Sequence, residues 1–478
     1  MTNQPLVRIR ETLGDARLQE AIYAATGRLI EHRRQVVAPE ALPDYQELRE
    51  QARRIKEHTL ENLDAYLEQF EAEVRARGGE VVWARDGAEV ADFLVELGRR
   101  SGARLIVKSK SMTTEEIGLR ERLEAQHFEV VETDLGEYII QLAHERPYHI
   151  VAPALHKTRY EVGEIFSQKL GVPRENEPER QTRIARAVLR QKFLAADIGI
   201  TGANFLVADC GAVVLVENEG NARLTTSAPR IHVAVAGIEK LVPRAQDLAV
   251  FLKLLGRSAT GQPLTVYTSI LSGPRRAGER DGPEQFYVVL LDNGRTRVLA
   301  ERDKRETLYC IRCGACANHC PVYRRIGGHN YPWVYSGPIG QIASPQFQGL
   351  TQDPWLPFAS SLCGACAEVC PVKIEIPRLL LELRAEVVKA RTRERQNRWE
   401  RAAFRLWAWV MTRPRVYEAL SLAAGLLASE EAGPNWLRRL PALLNAGPLR
   451  AWLDYRDLPL PGRSFRQLWR RRTAKVRE

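Results

Sequence analysis

Seven of the eight cysteines in this 478-residue chain lie between residues 310 and 370, in two runs of similar sequence. The first run reads CIRCGACANHCP (residues 310–321), and the second reads SSLCGACAEVCP (residues 360–371). The second run has Ser360 where the first has Cys310. Tight clusters of cysteines in a chain of this length favour metal ligation over the disulfide framework of a small secreted domain.

The spacing of the first run, C-x2-C-x2-C-x3-C-P, is that of bacterial ferredoxins. Three closely spaced thiolates hold three corners of one cubane cluster, and the fourth cysteine reaches the other cluster. The small residues Gly314 and Ala315 allow the backbone to approach the inorganic sulfides. Applied to both runs, this crossed rule predicts Cys310, Cys313, Cys316 and Cys370 as ligands of the first cluster, and Cys320, Cys363 and Cys366 as ligands of the second.

The second predicted set is one thiolate short, and four interpretations stay open. Ser360 can bind iron through a deprotonated oxygen, although an alkoxide forms less readily than a thiolate. A [3Fe-4S] cluster needs only three thiolates. A [4Fe-4S] cluster can keep an exposed iron for water, a substrate group or a partner's side chain. Cys210 would complete the count, but its position at a turn within ANFLVADCGAVVLV favours a small buried side chain.

Zinc is the alternative metal, because C-x2-C pairs also serve as zinc ligands. Zinc sites pair two such knuckles and have no use for the third, crossed cysteine or for the proline that follows it. The runs therefore predict two [4Fe-4S] clusters, the second with only three cysteine ligands or present as a [3Fe-4S] cluster.

Between residues 80 and 300, short apolar strands alternate with amphipathic helices. EVVWA precedes AEVADFLVELGRR, RLIVKS precedes TTEEIGLRERLEA, and five further apolar segments run from ANFLVAD to FYVVLLD. This order predicts an α/β fold with a mixed, mainly parallel sheet, followed by an appended helical domain that holds the two clusters.

The regions on either side are predicted to be helical. In the N-terminal region, Asp44 and Glu47 form a predicted capping box, and Gly78 and Gly79 end the helix. A long helix is predicted after Pro377. The predicted domains are residues 1–78 (helical), 79–300 (α/β), 301–385 (two-cluster ferredoxin type) and 386–478 (basic and helical).

Positive charge is concentrated at the C-terminal end. Residues 384–478 contain 21 Lys or Arg against 9 Asp or Glu, and six of the nine Trp residues lie there, whereas the whole chain has a net charge of +11. Such a tail can dock on an anionic membrane surface or a partner subunit, or form a partly packed helical cap. No nucleic-acid-binding module is recognisable, so nucleic acid is not a predicted partner.

The predicted location is cytoplasmic. If the basic tail docks on an anionic membrane, the protein would also contact the inner face of the membrane peripherally. The first residues carry acidic side chains and lack the layout of a secretory signal. The longest apolar run, around ALSLAAGLLA, is too short to cross a bilayer.

Two motifs of the α/β region are candidates for binding a small molecule. KSKSMTTEE (residues 108–116) ends a strand with Lys108, Ser109, Lys110 and Ser111. Thr113 with Glu116 is predicted to cap the next helix, whose free N–H groups favour an anion. The alternative is an ordinary strand-to-helix turn with solvated lysines.

The second motif is GITGANFLVADCGAVVLVENEGNARLTTSAPR (residues 199–230). Its polar residues at strand ends are Gly202, Asn204, Glu217, Asn218, Glu219, Gly220 and Asn221, where an open α/β sheet usually keeps its functional groups. Glu219 is a candidate nucleophile or base, although Asn-Glu-Gly-Asn is also common turn chemistry. No Ser-His-Asp or Cys-His set is found, so no catalytic residue is predicted. No G-x-G-x-x-G follows a predicted strand, so NAD and FAD are not predicted.

Together these segments resemble the lactate utilization protein B family of bacterial iron–sulfur proteins. The resemblance covers nearly the whole chain, including KSKSMTTEE, GITGANFLVADCGAVVLVENEGN, SSLCGACAEVCPVKI and the basic C-terminal region. It implies an α/β fold similar to that of sugar-phosphate isomerases and CoA transferases. It also implies the two ligand sets given above, and Ser360 is no departure, because the family also looks one cysteine short there.

The function implied by the resemblance is electron transport. The chain would be one of three components that oxidise L-lactate to pyruvate and support growth on lactate. The implied partners are a cysteine-rich subunit and a second protein with a lactate-utilization domain, and the electron acceptor is left open. The alternative hypothesis is an isomerase- or transferase-like enzyme in the α/β domain, with the clusters in a structural or regulatory role.

Overall fold

The structure is a computed structural model that describes residues 4–393 and 398–426, together with 436–437, 458–459, 465–466, 469 and 472. Residues 1–388 form one compact unit and residues 389–478 a second. Both cysteine runs and both α/β motifs lie in the first unit.

Four helices occupy the N-terminal region: α1 (Gln4–Gly14), α2 (Ala16–Val36), α3 (Tyr45–Glu61) and α4 (Leu63–Ala76). The predicted capping box at the start of α3 is wrong, since Asp44 makes no side-chain cap hydrogen bond. The ψ of Asp44 is 14° rather than extended, and a capping carboxylate needs an extended backbone to reach the first N–H groups. The chain leaves α4 before Gly78, which has a φ of 81°.

The α/β region contains ten strands: β1 (Glu80–Ala84), β2 (Leu105–Lys108), β3 (Glu129–Glu132), β4 (Ile198–Thr201), β5 (Phe205–Val207), β6 (Ala212–Glu217), β7 (Ile231–Gly237), β8 (Leu241–Val242), β9 (Tyr267–Leu271) and β10 (Gln285–Leu291). Six of them form a sheet in the order β1-β10-β7-β4-β2-β3, in which every neighbouring pair is parallel. A second sheet, β8-β5-β6-β9, is mixed. The predicted mixed, mainly parallel α/β fold is confirmed.

Helices lie among these strands in the chain: α5 (Gly87–Ser101), α6 (Met112–Glu116), α7 (Leu119–Glu124), α8 (Leu135–Leu142), α9 (Arg159–Leu170), α10 (Pro178–Ala195), α11 (Asn221–Ser227) and α12 (Leu248–Ala259). All seven residues of β7 are buried, as are six of the seven in β10. Continuous burial of this kind is typical of parallel strands that are covered on both faces.

The cysteine region follows with α13 (Arg295–Ala300), α14 (Ala315–His319), α15 (Tyr323–Ile326), α16 (Gly337–Gln348), α17 (Ala365–Val369) and α18 (Ile376–Arg393). One hydrophobic core includes Leu48 of α3, Val214 of β6, Cys313 of the first run and Leu383 of α18. The cysteine region is therefore packed directly on the α/β domain.

The second unit contains α19 (Arg398–Met411), α20 (Pro414–Leu426) and the antiparallel pair β11 (Trp436–Leu437) and β12 (Leu458–Pro459). Residues 394–397, within the long helix predicted after Pro377, lie outside the described residues, as does most of the basic tail beyond residue 426. Among the helices that are described, none is long and apolar enough to span a membrane.

Candidate iron–sulfur site and adjoining cavity

The two cysteine runs form loops of the same backbone shape. Arg312 in the first loop has a φ of 60°, and Leu362 at the equivalent position has a φ of 55°. Two residues later, Gly314 and Gly364 have φ values of 74° and 85°. Left-handed backbone is uncommon for residues such as arginine and leucine, so its presence in both runs indicates a repeated loop. A five-residue helix follows each glycine, α14 in the first loop and α17 in the second.

Ser360 occupies the place in the second loop that Cys310 occupies in the first. The N–H of Arg312 donates to Cys310 Sγ at 3.4 Å, and the N–H of Leu362 donates to Ser360 Oγ at 3.2 Å. The same backbone donor therefore faces a sulfur in one loop and a hydroxyl in the other. The missing thiol is a change of side chain within an unchanged loop.

The four cysteines predicted for the first cluster surround one cavity. Cys310, Cys313 and Cys316 of the first run and Cys370 of the second line it, together with apolar side chains. Burial raises the pKa of Cys313 to about 12, and the neighbouring Cys310 and Cys370 act in the same direction. Burial also raises the pKa of Cys370 to about 11. Thiols gathered in this way release their protons when a metal binds them.

The three cysteines predicted for the second cluster also lie close together. Burial raises the pKa of Cys366 to about 12, with Cys320 and Cys363 contributing in the same direction. Burial raises the pKa of Cys320 as well, and the nearby Cys363 adds to the effect. Cys320 and Cys366 are buried, whereas Cys363 is exposed. The second group therefore reaches solvent at Cys363, and that its members hold iron stays a prediction.

Further backbone N–H groups point at the sulfurs. Ile374 donates to Cys370 Sγ and Tyr323 donates to Cys320 Sγ, each at 3.4 Å. Hydrogen bonds to cluster sulfurs tune the reduction potential of iron–sulfur centres. Both cysteine groups therefore combine thiol ligands with N–H donors to sulfur, as iron–sulfur centres do.

Cys210 stands apart from the first group. It ends a 3-10 turn, Ala208–Cys210, that packs against α4, and it does not line the cavity of the four cysteines. Its thiol is half-buried, and burial together with Asp209 raises its pKa. The structure therefore gives it a packing position.

The two motifs of the α/β domain face each other across a second cavity, of about 260 Å³. The first motif follows β2 and the second begins within β4, and these parallel strands are neighbours, so their carboxyl ends meet at one edge of the sheet. We call this the α/β cavity, and the motif residues that line it include Ser109, Lys110, Ser111, Thr113, Gly202, Asn204, Glu217, Asn218, Glu219 and Asn221.

Lys108 does not reach the α/β cavity. Its side chain is fully buried, and the ammonium lies 2.9 Å from Glu115, 2.8 Å from Glu132 and 3.6 Å from Glu137. The alternative that the lysines of this motif are solvated is therefore wrong for Lys108, whose ammonium is paired with carboxylates. The reason is the pairing of β2 with β3, which sets Lys108 opposite Glu132.

The cap predicted for α6 is also wrong. Ser111 is the N-cap, and its Oγ accepts a hydrogen bond from the N–H of Thr114 at 3.3 Å. Ser111 has the extended backbone that an N-cap needs, whereas Thr113 already lies within the helix. Glu116 pairs instead with Arg295, at 2.8 Å. With five residues, α6 is also too short to act as an anion site by its N-terminus alone.

The acidic residues of the second motif have different roles. Glu217 accepts hydrogen bonds from the N–H groups of Ala222 and Arg223 at 2.7 and 2.8 Å, which ties it to the start of α11. Burial raises the pKa of Glu219, and Asp134 adds to the effect while Lys110 opposes it. Of the two, Glu219 is the carboxylate that remains available to a bound molecule.

Comparison with known proteins agrees with this architecture. Residues 67–291 match the family model of the LUD domain, residues 306–374 match the 4Fe-4S dicluster domain, and residues 382–474 match the C-terminal domain of lactate utilisation protein B. Lactate utilization protein B of Bacillus pumilus is 44% identical over 97% of this chain and 96% of its own. The chain belongs to the lactate utilization protein B family.

Two further relatives extend the comparison. Lactate utilization protein B of Bacillus licheniformis is 43% identical over 97% of this chain and 95% of its own length. The Escherichia coli protein named uncharacterized electron transport protein YkgF is 41% identical over 98% and 97%. Membership of the lactate utilization protein B family, with its 4Fe-4S domain, gives the chain an electron-transfer role in lactate utilization and favours iron–sulfur clusters over zinc.

In this member of the family, buried charges connect the α/β cavity with the first cysteine group. Arg295 lies 2.8 Å from Glu116 and 2.5 Å from Glu239, and Arg312 Nη2 lies 3.6 Å from Glu239 Oε1. Although burial opposes the shift, Arg295 and Arg312 lower the pKa of Glu239 to about 2. Burial lowers the pKa of Lys240 to about 8, and Glu239 opposes that shift.

Positive charge exceeds negative charge in this network. Its cations are Lys240, Arg295 and Arg312, and its buried carboxylates are Glu116 and Glu239. Lys56 also lies here and donates to the carbonyl of Leu241, but burial lowers its pKa to about 7. Within the described part of the chain, neither Nη1 nor Nη2 of Arg312 has a hydrogen-bond partner. Unpaired buried cations are costly, and a cluster held by four thiolates carries net negative charge. The residues present therefore fit an iron–sulfur cluster beside Arg312.

Among the residues of the α/β cavity that sequence reasoning missed are two basic ones, Lys240 and Arg312. Lys240 ends the turn that follows β7, outside both motifs. Arg312 belongs to the first cysteine run and lines both cavities. Its place between Cys310 and Cys313 was a signal that a charged group accompanies the cluster, but no sequence pattern indicated that it also reaches the α/β cavity.

Proposed function

We propose that this chain is the iron–sulfur electron-transfer component of a system that oxidises L-lactate to pyruvate and supports growth on lactate. The proposal is carried by the interlocked arrangement of the seven cysteines. Cys370 of the second run lies with the first group, and Cys320 of the first run lies with the second. Because α14 and α17 contact each other, two centres held this way are close neighbours. Close neighbours are what stepwise electron transfer requires.

The proposed ligands are Cys310, Cys313, Cys316 and Cys370 for one [4Fe-4S] cluster, and Cys320, Cys363 and Cys366 for the other. When bound, such clusters accept and donate single electrons. The surrounding protein donates N–H groups to the sulfurs and buries Cys313 and Cys370 of the first group. In the second group, the equivalence of the two loops assigns the missing fourth position to Ser360, so we expect an open [4Fe-4S] or a [3Fe-4S] cluster there.

The proposed partners are the two other lactate utilization components, a cysteine-rich subunit and a second protein with a lactate-utilization domain. The exposed Cys363 supports contact with a partner at the second group, since electrons pass most readily where a centre lies near the surface. Peripheral membrane contact through the basic tail is a further proposal, supported by the exposed Trp407 and Trp409 of α19. Failure to sediment with anionic liposomes at physiological salt would rule it out.

The test of the proposed function is Cys313→Ser in an anaerobic mixture of the three components. We expect L-lactate-dependent reduction of an acceptor dye to fall at least about 100-fold, because the first cluster loses a buried ligand. Cys210→Ser is the matched control, and it should leave both the dye reduction and the absorption near about 400 nm in place. An isomerase or transferase activity in the α/β domain would instead survive in Cys313→Ser. Full dye reduction by that variant would refute electron transfer through this chain.

A further inference from the structure

We infer that the α/β cavity is a binding site for a small organic anion, and that Arg312 and Lys240 couple its occupancy to the oxidation state of the first cluster. The ligand class is a molecule with a carboxylate or phosphate group and at least one hydroxyl or keto group. The inference rests on the proposed ligand set of the first cluster.

Lys240 provides the clearest sign of a missing negative charge. Its side chain is buried, with a relative exposure of 7%, yet it lines the α/β cavity. Its ammonium makes no hydrogen bond or ion pair with any residue that the structure describes. A buried ammonium without a partner is costly, and an anion in the cavity would remove that cost.

Arg312 lies between the two cavities. Its side chain is 7% exposed, it lies over the ring of Tyr335 at 4.3 Å, and its nearest described carboxylate is Glu239 at 3.6 Å. These contacts hold the guanidinium in place but leave Nη1 and Nη2 without hydrogen bonds to the described residues. One cation is therefore shared between the α/β cavity and the first cysteine group.

The rest of the lining indicates what else the ligand carries. Ser109, Thr113 and Asn204 bring polar side chains to the α/β cavity, and Glu219 and Asp134 add carboxylates. The carboxylates disfavour a compact ion with negative charge on all sides, but they accept hydrogen bonds from hydroxyl groups. The volume of about 260 Å³ lies just below the usual range for small-molecule pockets, about 300 Å³ and upward. A small hydroxy or keto acid, or a small phosphorylated metabolite, meets these conditions, whereas a dinucleotide is too large.

The shared cation makes the coupling reciprocal. An electron added to the first cluster increases the negative charge beside Arg312. That charge offsets more of the positive charge of Arg312, so Arg312 attracts an anion in the α/β cavity less strongly. The anion is therefore expected to bind the oxidised protein about tenfold more tightly than the reduced protein, a factor within the usual range for coupled sites. By the same linkage, bound anion lowers the reduction potential of the first cluster.

The test is calorimetric titration of the anaerobically purified, cluster-loaded full chain, oxidised and after reduction with dithionite. The probes are L-lactate, pyruvate and inorganic phosphate, with the neutral L-lactamide as the uncharged control. Binding of at least one organic anion, weaker after reduction and absent for lactamide, is the expected result. Binding of phosphate alone would assign the site to phosphorylated ligands. Failure of all three anions to bind, or equal affinity in both oxidation states, would overturn the inference.

Lys240→Met should weaken that binding at least about tenfold while the visible spectrum of the clusters is retained, and Lys240→Arg should restore most of it. The matched control is Lys253→Met, which removes an exposed lysine of the neighbouring α12 that does not line the α/β cavity. If Lys240→Met binds the anion as the unaltered protein does, the assigned site is wrong. The two proposals can fail separately. If the unaltered protein binds no anion but still supports lactate-dependent dye reduction, the inferred site is wrong and the proposed electron transfer stands.

Discussion

The two cysteine groups have the same loops but different surroundings. In both runs a left-handed residue and a left-handed glycine precede a five-residue helix. The first group lies beside the buried charges of Arg312 and Glu239 and next to the α/β cavity. The second group includes the exposed Cys363 and has Ser360 where the repeat calls for a thiol.

This difference separates what the repeat determines from what the rest of the chain adds. The loop geometry gathers thiolates in either run. The neighbouring α/β domain then supplies the first group with compensating cations and an adjoining cavity, while the second group reaches the surface at Cys363. We therefore expect the first centre to depend on the protein core and the second to depend on solvent and partners.

The largest expected effect compares one ligand from each group. Cys370→Ser removes the first cluster and leaves Arg312 without its negative charge, so the free energy of unfolding should fall by about 3 kcal/mol or more. Cys363→Ser removes an exposed ligand and should cost about 1 kcal/mol. Anaerobic urea denaturation measures both values, with the iron content of each variant as the control. Equal losses of unfolding free energy in the two variants would show that the surroundings of the two cysteine groups contribute equally to stability.

A smaller effect is expected from restoring the repeat. Ser360→Cys places a thiol where the N–H of Leu362 already donates to the serine oxygen, as the N–H of Arg312 donates to Cys310. The second cluster should then take up iron to a complete [4Fe-4S] form, and any oxidised three-iron signal in electron paramagnetic resonance should disappear. Ser361→Cys, one residue away, is the control that adds a thiol outside the equivalent position. An unchanged signal in Ser360→Cys would mean that this corner is not where the second cluster is open.

The sequence was sufficient for features that depend on local spacing. The alternation of strands and helices predicted the α/β fold, and the ferredoxin pattern groups Cys370 with the three cysteines that line the same cavity, while their binding of iron stays a prediction. It was insufficient where distant segments meet. Lys108 is buried because β3 brings Glu132 beside it, and nothing local to KSKSMTTEE signals that pairing.

Lys240 and Arg312 show the same limit at the candidate site. They are 72 positions apart in the numbering and belong to different regions, yet both line the α/β cavity. The predictions of helix caps were wrong for a related reason. Ser, Thr and Asp residues stand at several possible starts of a helix, and the backbone angles decide which of them caps it. Asp44, with a ψ of 14°, makes no side-chain cap, whereas Ser111, with an extended backbone and a ψ of 113°, does.

The smallest expected effect is a difference in alkylation rate between cysteines of the cluster-free protein. It tests whether the thiols differ in exposure when no iron is bound. Thiolates react with iodoacetamide and protonated thiols do not, so a thiol whose pKa is raised to about 12, as for Cys313 and Cys366, stays largely unreactive at pH 8. The exposed Cys363 should be alkylated at least about tenfold faster than either.

Raising the pH from 8 to 10 should speed alkylation of Cys313 and Cys366, because the deprotonated fraction of a thiol grows about tenfold per pH unit below its pKa. Peptide mass spectrometry of timed samples measures each rate, and denatured protein serves as the control in which the seven cysteines of the two runs react alike. Equal rates for Cys363 and Cys313 in the folded, cluster-free protein would mean that the two groups differ only when iron is bound. The contrast between a core centre and a surface centre would then be a property of the clusters rather than of the chain.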